Sequence, residues 1–231
     1  MADQEPRFSG QRGITGLETA IILIAFVVVA SVFAFTVLST GIFASERSKE
    51  TVFSGILAVR STLEPRGSVI AFAGKIDGAT STVFKISFVV SNAVSGEPID
   101  LTPGYTADGS GDDPDIAPGN QQATVISYND AGVAVTDIPW TVNFLGDSDG
   151  DNLLEGDELA EITAWILTRD NNVASVTAND SVKLLSAGLD SLADIPGAND
   201  QFTLEIKPPT GAVINLRRTL PLQLDTVMDL N

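Results

Sequence analysis

The sequence predicts an α+β protein, a long N-terminal hydrophobic α-helix followed by an all-β, immunoglobulin-like sandwich domain. Residues 19–45 carry no charge and no proline, and no glycine before Gly41. From Gly67 onward the apolar period changes from 3.6 residues to 2, in short runs bounded by Gly, Pro, Asn and Asp. Together these divide the chain into a short polar start (1–13), a helix (14–64) and an outer β domain (65–231), the last of a normal single-domain size.

The helix comes first. A 27-residue stretch at about 1.5 Å per residue spans roughly 40 Å, more than the 20 or so residues a bilayer core needs. Its apolar side chains lie all round, with no polar stripe. A helix of that kind is buried in lipid or among copies of itself. After the polar Glu46-Arg47-Ser48-Lys49-Glu50, the residues Val52, Phe53, Ile56, Leu57 and Leu63 recur at helical spacing. They predict an amphipathic second half that lays its apolar face on the C-terminal domain, continuous through Gly41 and ended by Pro65.

Strands are expected over residues 68–73, 82–90, 123–128, 132–136, 140–144, 161–167, 182–186, 202–206 and 212–218, each rich in Val, Ile, Phe or Thr. Many short strands with such punctuation argue for an antiparallel sandwich or barrel. Trp140 and Trp165 fit its core. Residues 103–121 form a long, acidic, glycine-rich loop expected on the outer surface.

Composition excludes several functions. The chain has 231 residues, no cysteine, no histidine and a net charge of −17. Without a basic face, nucleic acid is a poor partner. Without thiols or imidazoles there is no thiolate or Ser-His-Asp chemistry, and any metal must be held by oxygen. The balance argues against an enzyme.

One stretch has metal-loop spacing. Counting from Asp147 in Asp147-Ser148-Asp149-Gly150-Asp151-Asn152-Leu153-Leu154-Glu155-Gly156-Asp157-Glu158, positions 1, 3, 5, 7, 9 and 12 are Asp147, Asp149, Asp151, Leu153, Glu155 and Glu158. These are the calcium-ligand positions of an EF-hand loop, the seventh through its backbone carbonyl. Asn152 stands where such loops carry glycine, and a strand follows instead of a helix. The expectation is therefore a structural calcium loop on a β scaffold, with magnesium and a solvated acidic turn as the alternatives. Asp108, Asp112, Asp113 and Asp115 form a second acidic cluster that fits no ligand spacing. Asn179-Asp180-Ser181 is an N-glycosylation acceptor sequence.

At the N-terminus, an ordinary secretory signal has an apolar stretch about half as long as this one, followed by its cleavage site. A cut upstream, between Gly13 and Ile14, would instead leave the helix at the start of the mature chain. Arg12-Gly13 followed by Ile14-Thr15-Gly16-Leu17-Glu18 and an unbroken apolar helix resembles the class III signal peptide of archaellins and type IV pilins. Gly16 is similar to the third mature position of archaellins. Glu18 resembles the fifth-position glutamate of pilins and of some archaellins. The ending Leu224-Asp225-Thr226-Val227-Met228-Asp229-Leu230 also resembles that of archaellins.

The resemblance implies a leader removed after Gly13 by a membrane aspartic peptidase and a precursor held in the cell membrane. It implies a structural subunit of the archaellum, the extracellular swimming filament of archaea. Its partners would be further copies of itself and an archaellum or pilus assembly machinery, with Glu18 pairing to a neighbour's new N-terminal amine. A type IV pilin of an adhesion filament and a membrane-anchored, calcium-binding extracellular module are the rival readings.

Overall fold

A computed structural model describes residues 12–94, 97–109, 111–117, 119, 121–146, 148–170, 181–185, 188–189, 191 and 193–231. The chain divides into two compact units, Met1–Ser54 and Gly55–Asn231.

Helix α1 runs unbroken from Arg12 to Arg60, 49 residues, straight through Gly41 as its sequence leads one to expect. β-branched residues and phenylalanine are only moderate helix formers. No proline interrupts them, however, and the helix contains its own polar groups. Ser31 Oγ donates to Val28 O (2.9 Å), Thr36 Oγ1 to Phe33 O (2.8 Å) and Thr40 Oγ1 to Thr36 O (2.7 Å). Hydroxyls bonded back onto the preceding turn need no outside partner, so these three leave the surface of the 19–45 stretch apolar in effect.

The helix ends at Arg60, not at Pro65. Ser61 N closes the last turn on Leu57 O at 3.0 Å, and Thr62 O is then taken by Ala93 N at 2.8 Å. From Leu63 the chain is already strand β1 (Leu63–Ile76), and Leu63 is a buried core residue of that strand. Pro65 pairs with Val90 across β2 at a point where β1 has no other described neighbour, so its missing N–H costs no ladder bond. The other residues of the expected apolar face are uncovered. Val52 is 59%, Phe53 65%, Ile56 47% and Leu57 46% exposed.

The remaining strands are β2 (Thr80–Asn92), β3 (Ile99–Asp100), β4 (Tyr105–Thr106), β5 (Asp112–Asp113), β6 (Asp115–Ile116), β7 (Val125–Asn129), β8 (Ala134–Val135) and β9 (Trp140–Leu145). They continue as β10 (Leu153–Leu154), β11 (Leu159–Trp165), β12 (Thr168–Asp170), β13 (Ser181–Lys183), β14 (Gln201–Lys207), β15 (Ile214–Thr219) and β16 (Val227–Asp229). Every expected strand falls on one of these, and the unforeseen ones are two or three residues long.

The large sheet has the order β5-β12-β13-β1-β2-β11-β9, with β16 also on β1, and the second sheet has the order β15-β14-β7-β8. Among the described residues, only the β1–β13 pair of the large sheet is parallel. The β1–β2 hairpin turns at Asp77-Gly78, both with positive φ (52° and 68°), the conformation that favours an Asp-Gly pair there.

Both sheets contribute to one core. Phe84, Ile86 and Ile162 come from the large sheet; Ile126, Tyr128, Phe202, Leu204 and Ile206 come from the small one. β11 and β14 alternate buried with partly buried residues, the period-2 pattern of a strand with one face on the core. Trp140 and Trp165 are both in the core, the latter 6.2 Å from Phe84 by ring centroids. Trp165 Nε1 donates to Thr141 Oγ1 at 3.1 Å, while Tyr128 stacks on Phe202 at 6.0 Å.

Residues 103–121 are not wholly an outer loop. β4 pairs with β6, and β5 docks on β12, which buries Asp113 and Ala117. Thr168 Oγ1 donates to Asp113 O at 2.8 Å, and Arg169 is buried opposite Asp113.

Candidate functional site

The dominant chemical feature is the helix surface. Leu23, Phe26 and Phe33 stand out on one side of α1 and Phe35 on the opposite one, Phe26 at 75% exposure. The stretch Gly16–Leu57 is long and apolar enough to cross a membrane, and none of its most apolar window is buried within the chain. Its intended surroundings are therefore lipid or other helices, since water penalises every one of these side chains.

The processing residues lie at the start of this helix. Gly13 and Ile14 are in its first turn by backbone, with nothing described of the Ile14 side chain. Gly16 has nothing within 4 Å of where a Cβ would sit, and Glu18 is exposed.

Of the expected calcium loop, Asp147 lies outside the described residues, as does the acceptor Asn179. The rest is a compact turn. Asp149 Oδ1 accepts from Asp151 N (3.1 Å), Asp151 Oδ1 from Leu153 N (2.8 Å), and Glu158 Oε2 from Glu155 N (3.1 Å). Leu154 is buried and pairs with Ile99 on β3, and the turn leads into strand β11, the β-scaffold setting its sequence suggests. Asp149, Asp151 and Glu155 are exposed, whereas Glu158 is buried. Among the described residues no three of these carboxylates converge within 4.8 Å.

Carboxylates do converge elsewhere. Oxygens of Asp108, Asp113 and Asp115 lie within 4.8 Å of one another, with Asp113 buried between two exposed partners. Asp112 turns away to Lys183 Nζ at 3.6 Å. Burial pushes the Asp113 carboxyl above the ordinary carboxylate range, and the Gly109 and Asp108 backbone N–H groups and the Arg169 charge pull it back only part of the way. This set is all hard oxygen, the donor type of calcium or magnesium. Sequence spacing misses it because pairing of β4 with β6 and docking of β5 on β12 assemble it. The visible signal is four aspartates within eight positions.

A small polar cleft of about 130 Å³ is lined by Asp130, Asp194 and Asp200. Two of these carboxylates already have protein donors. Asp130 accepts from Gly132 N (2.7 Å), Val133 N (2.8 Å) and Tyr128 Oη (3.0 Å), and Asp200 from Gly197 N (2.7 Å). Burial, and then the Asp130 charge, hold the Tyr128 phenol far above its ordinary value, so it is a fixed hydrogen-bond donor rather than a base.

The family profile of archaeal-type flagellins matches residues 13–218. The chain belongs to the archaeal-type flagellin family. Probable flagellin 1 of Archaeoglobus fulgidus is 32% identical over 218 residues, which is 94% of each chain. Probable flagellin 1 of Aeropyrum pernix is 29% identical over 227 residues, 94% of this chain and 95% of that one. The fold is similar to that in the archaeal flagellum of Methanospirillum hungatei, at a TM-score of 0.55 and 24% identity, covering 94% of this chain and 99% of that one. This archaeal flagellin is accordingly a structural subunit of an extracellular filament built from flagellin copies, not an enzyme. The bare apolar helix is the feature such a subunit requires.

Proposed function

We propose that this archaeal flagellin is made as a membrane precursor, cut between Gly13 and Ile14 by a peptidase for class III leaders, and passed by an archaellum assembly machinery into the swimming filament through its helix. The observation that carries this reading is the exposed apolar surface of α1 from Gly16 to Leu57. Each fully buried Leu, Ile, Val or Phe is worth about 1.5–3 kcal/mol relative to water. With more than a dozen such residues on the helix, a free monomer in water is not viable. Lipid covers the helix before assembly and neighbouring helices cover it afterwards, so the transfer need not wet it. Cleavage leaves the net charge almost unchanged, because Asp3 and Glu5 offset Arg7 and Arg12.

Glu18 enters an apolar bundle in this scheme, and an unpaired carboxylate there costs several kcal/mol. The N-terminal amine of Ile14 on a neighbouring copy is its natural partner. A Glu18→Gln chain that assembles at the normal rate would count against the pairing. In the β domain, an oxygen-bound calcium ion in the 147–158 turn would brace the exposed acidic surface. N-terminal sequencing of the filament subunit tests the central claim. A start at Ile14 supports it; a start at Met1, Ala2 or near Ala44 refutes it.

A further inference from the structure

β15 is the outer strand of the small sheet, paired only to β14 among the described strands, and it carries the adjacent cations Arg217 and Arg218. Three other cations of the domain are matched close by. Arg66 meets Glu64 at 3.0 Å, Lys207 meets Glu205 at 3.0 Å and Lys183 meets Asp112. Arg217 and Arg218 meet no carboxylate among the described residues. Arg217 donates to the Gln201 side chain, and Arg218 Nη1 donates to Arg217 O at 2.9 Å. Arg218 Nε is buried with no acceptor. By the period of the strand, Arg217 lies on the solvent face with Asn215 and Thr219, and Arg218 lies on the core face with Leu216. One free edge thus holds a guanidinium on each side, in a chain of net charge −17.

We infer that this edge docks on the carboxylate-rich surface of a second copy of the chain, as a lateral contact between β domains in the filament. The inference rests on the filament reading above. Charge selects the occupant and also the geometry. Two copies meeting edge to edge through β15 would oppose arginines to arginines, so the closed two-fold pairing is disfavoured. An arginine edge meeting an acidic patch elsewhere on the next copy is a heterologous contact, and repeating it gives an open helical array rather than a dimer. Planar guanidinium groups also suit carboxylates as two-pronged donors.

The test uses full-length chains in intact filaments. With Arg217→Lys, a zero-length carbodiimide should join position 217 to a carboxylate of another copy. The reaction should produce a ladder of linked chains stronger than wild type gives, and peptide mapping should identify the acidic partner. With Arg217→Glu and Arg218→Glu together, filaments should come apart several degrees lower than wild type at low salt. The difference should largely vanish in molar NaCl, where exposed charges are screened. Unchanged tryptophan fluorescence of the detergent-held monomer shows that the domain is still folded. Links from position 217 confined to one chain, or a reversed variant as stable as wild type at low salt, would overturn the contact while leaving the filament reading intact. Wild-type chains that build no filament would overturn both.

Discussion

Gly211 offers a stringent test of the packing beside the end of α1. It lies at the tip of the β14–β15 hairpin with φ +101°, and a Cβ there would sit 1.9 Å from Ser61 O and 2.7 Å from Ser61 C. Ser61 is itself buried and bonded to Leu57 O, so it is poorly placed to retreat. For Gly211→Ala, the positive φ costs about 1–3 kcal/mol. Relieving the overlap requires a shift of about 1 Å in packed backbone, about 1–3 kcal/mol more. The sum is roughly 4 kcal/mol, which at about 2–4 °C per kcal/mol for a domain of this size lowers Tm by roughly 8–16 °C. Gly78→Ala is the control, with φ +68° and open space around the new Cβ. It carries only the backbone term, about 1 kcal/mol. Fluorescence melts of the detergent-held full chain report on the β domain alone, because the chain's 2 tryptophans both lie in its core. A Gly211→Ala shift no larger than that of Gly78→Ala would show that the hairpin tip does not press on Ser61.

Other perturbations probe the acidic groups. Because the Asp113 carboxyl is raised in the fold, chiefly by burial, the native state keeps its proton to higher pH than the unfolded chain does. Stability from this group therefore falls as pH rises through the window above the ordinary value of 3.8, so Asp113→Asn should raise Tm at pH 7, with the gain fading at pH values below the ordinary one. A lower Tm at pH 7 would mean that Arg169 or a cation holds the carboxylate charged. Calcium at about 10 mM, against the weak affinity usual for extracellular sites, should raise Tm by roughly 3–10 °C. Loss of that shift in Asp151→Asn locates the ion in the 147–158 turn, loss in Asp113→Asn locates it among Asp108, Asp113 and Asp115, and no shift in wild type removes the metal. Tyr128→Phe deletes the hydroxyl on Asp130 and should cost about 1 kcal/mol, read as a lower urea midpoint; an unchanged midpoint would show that water replaces the bond.

Residues 19–45 determined their own structure, because an uninterrupted apolar run satisfies its backbone only by coiling on itself, and Ser31, Thr36 and Thr40 bond within the same helix. The strands from β1 to β15 that bear the core were equally legible, since a strand with one buried face alternates in sequence. Residues whose role depends on what arrives from far along the chain were not legible. The helix ends at Arg60, ahead of Pro65, and just beyond that end Ala93 N takes the Thr62 carbonyl, a bond to a residue far along the chain. Asp113 is buried because Thr168 and Arg169 receive it, and its approach to Asp108 and Asp115 follows from two strand pairings between segments of mixed, unpatterned sequence. Periodicity records which face of an element avoids water. It carries no record of which distant segment will cover that face, and only the packed chain decides this.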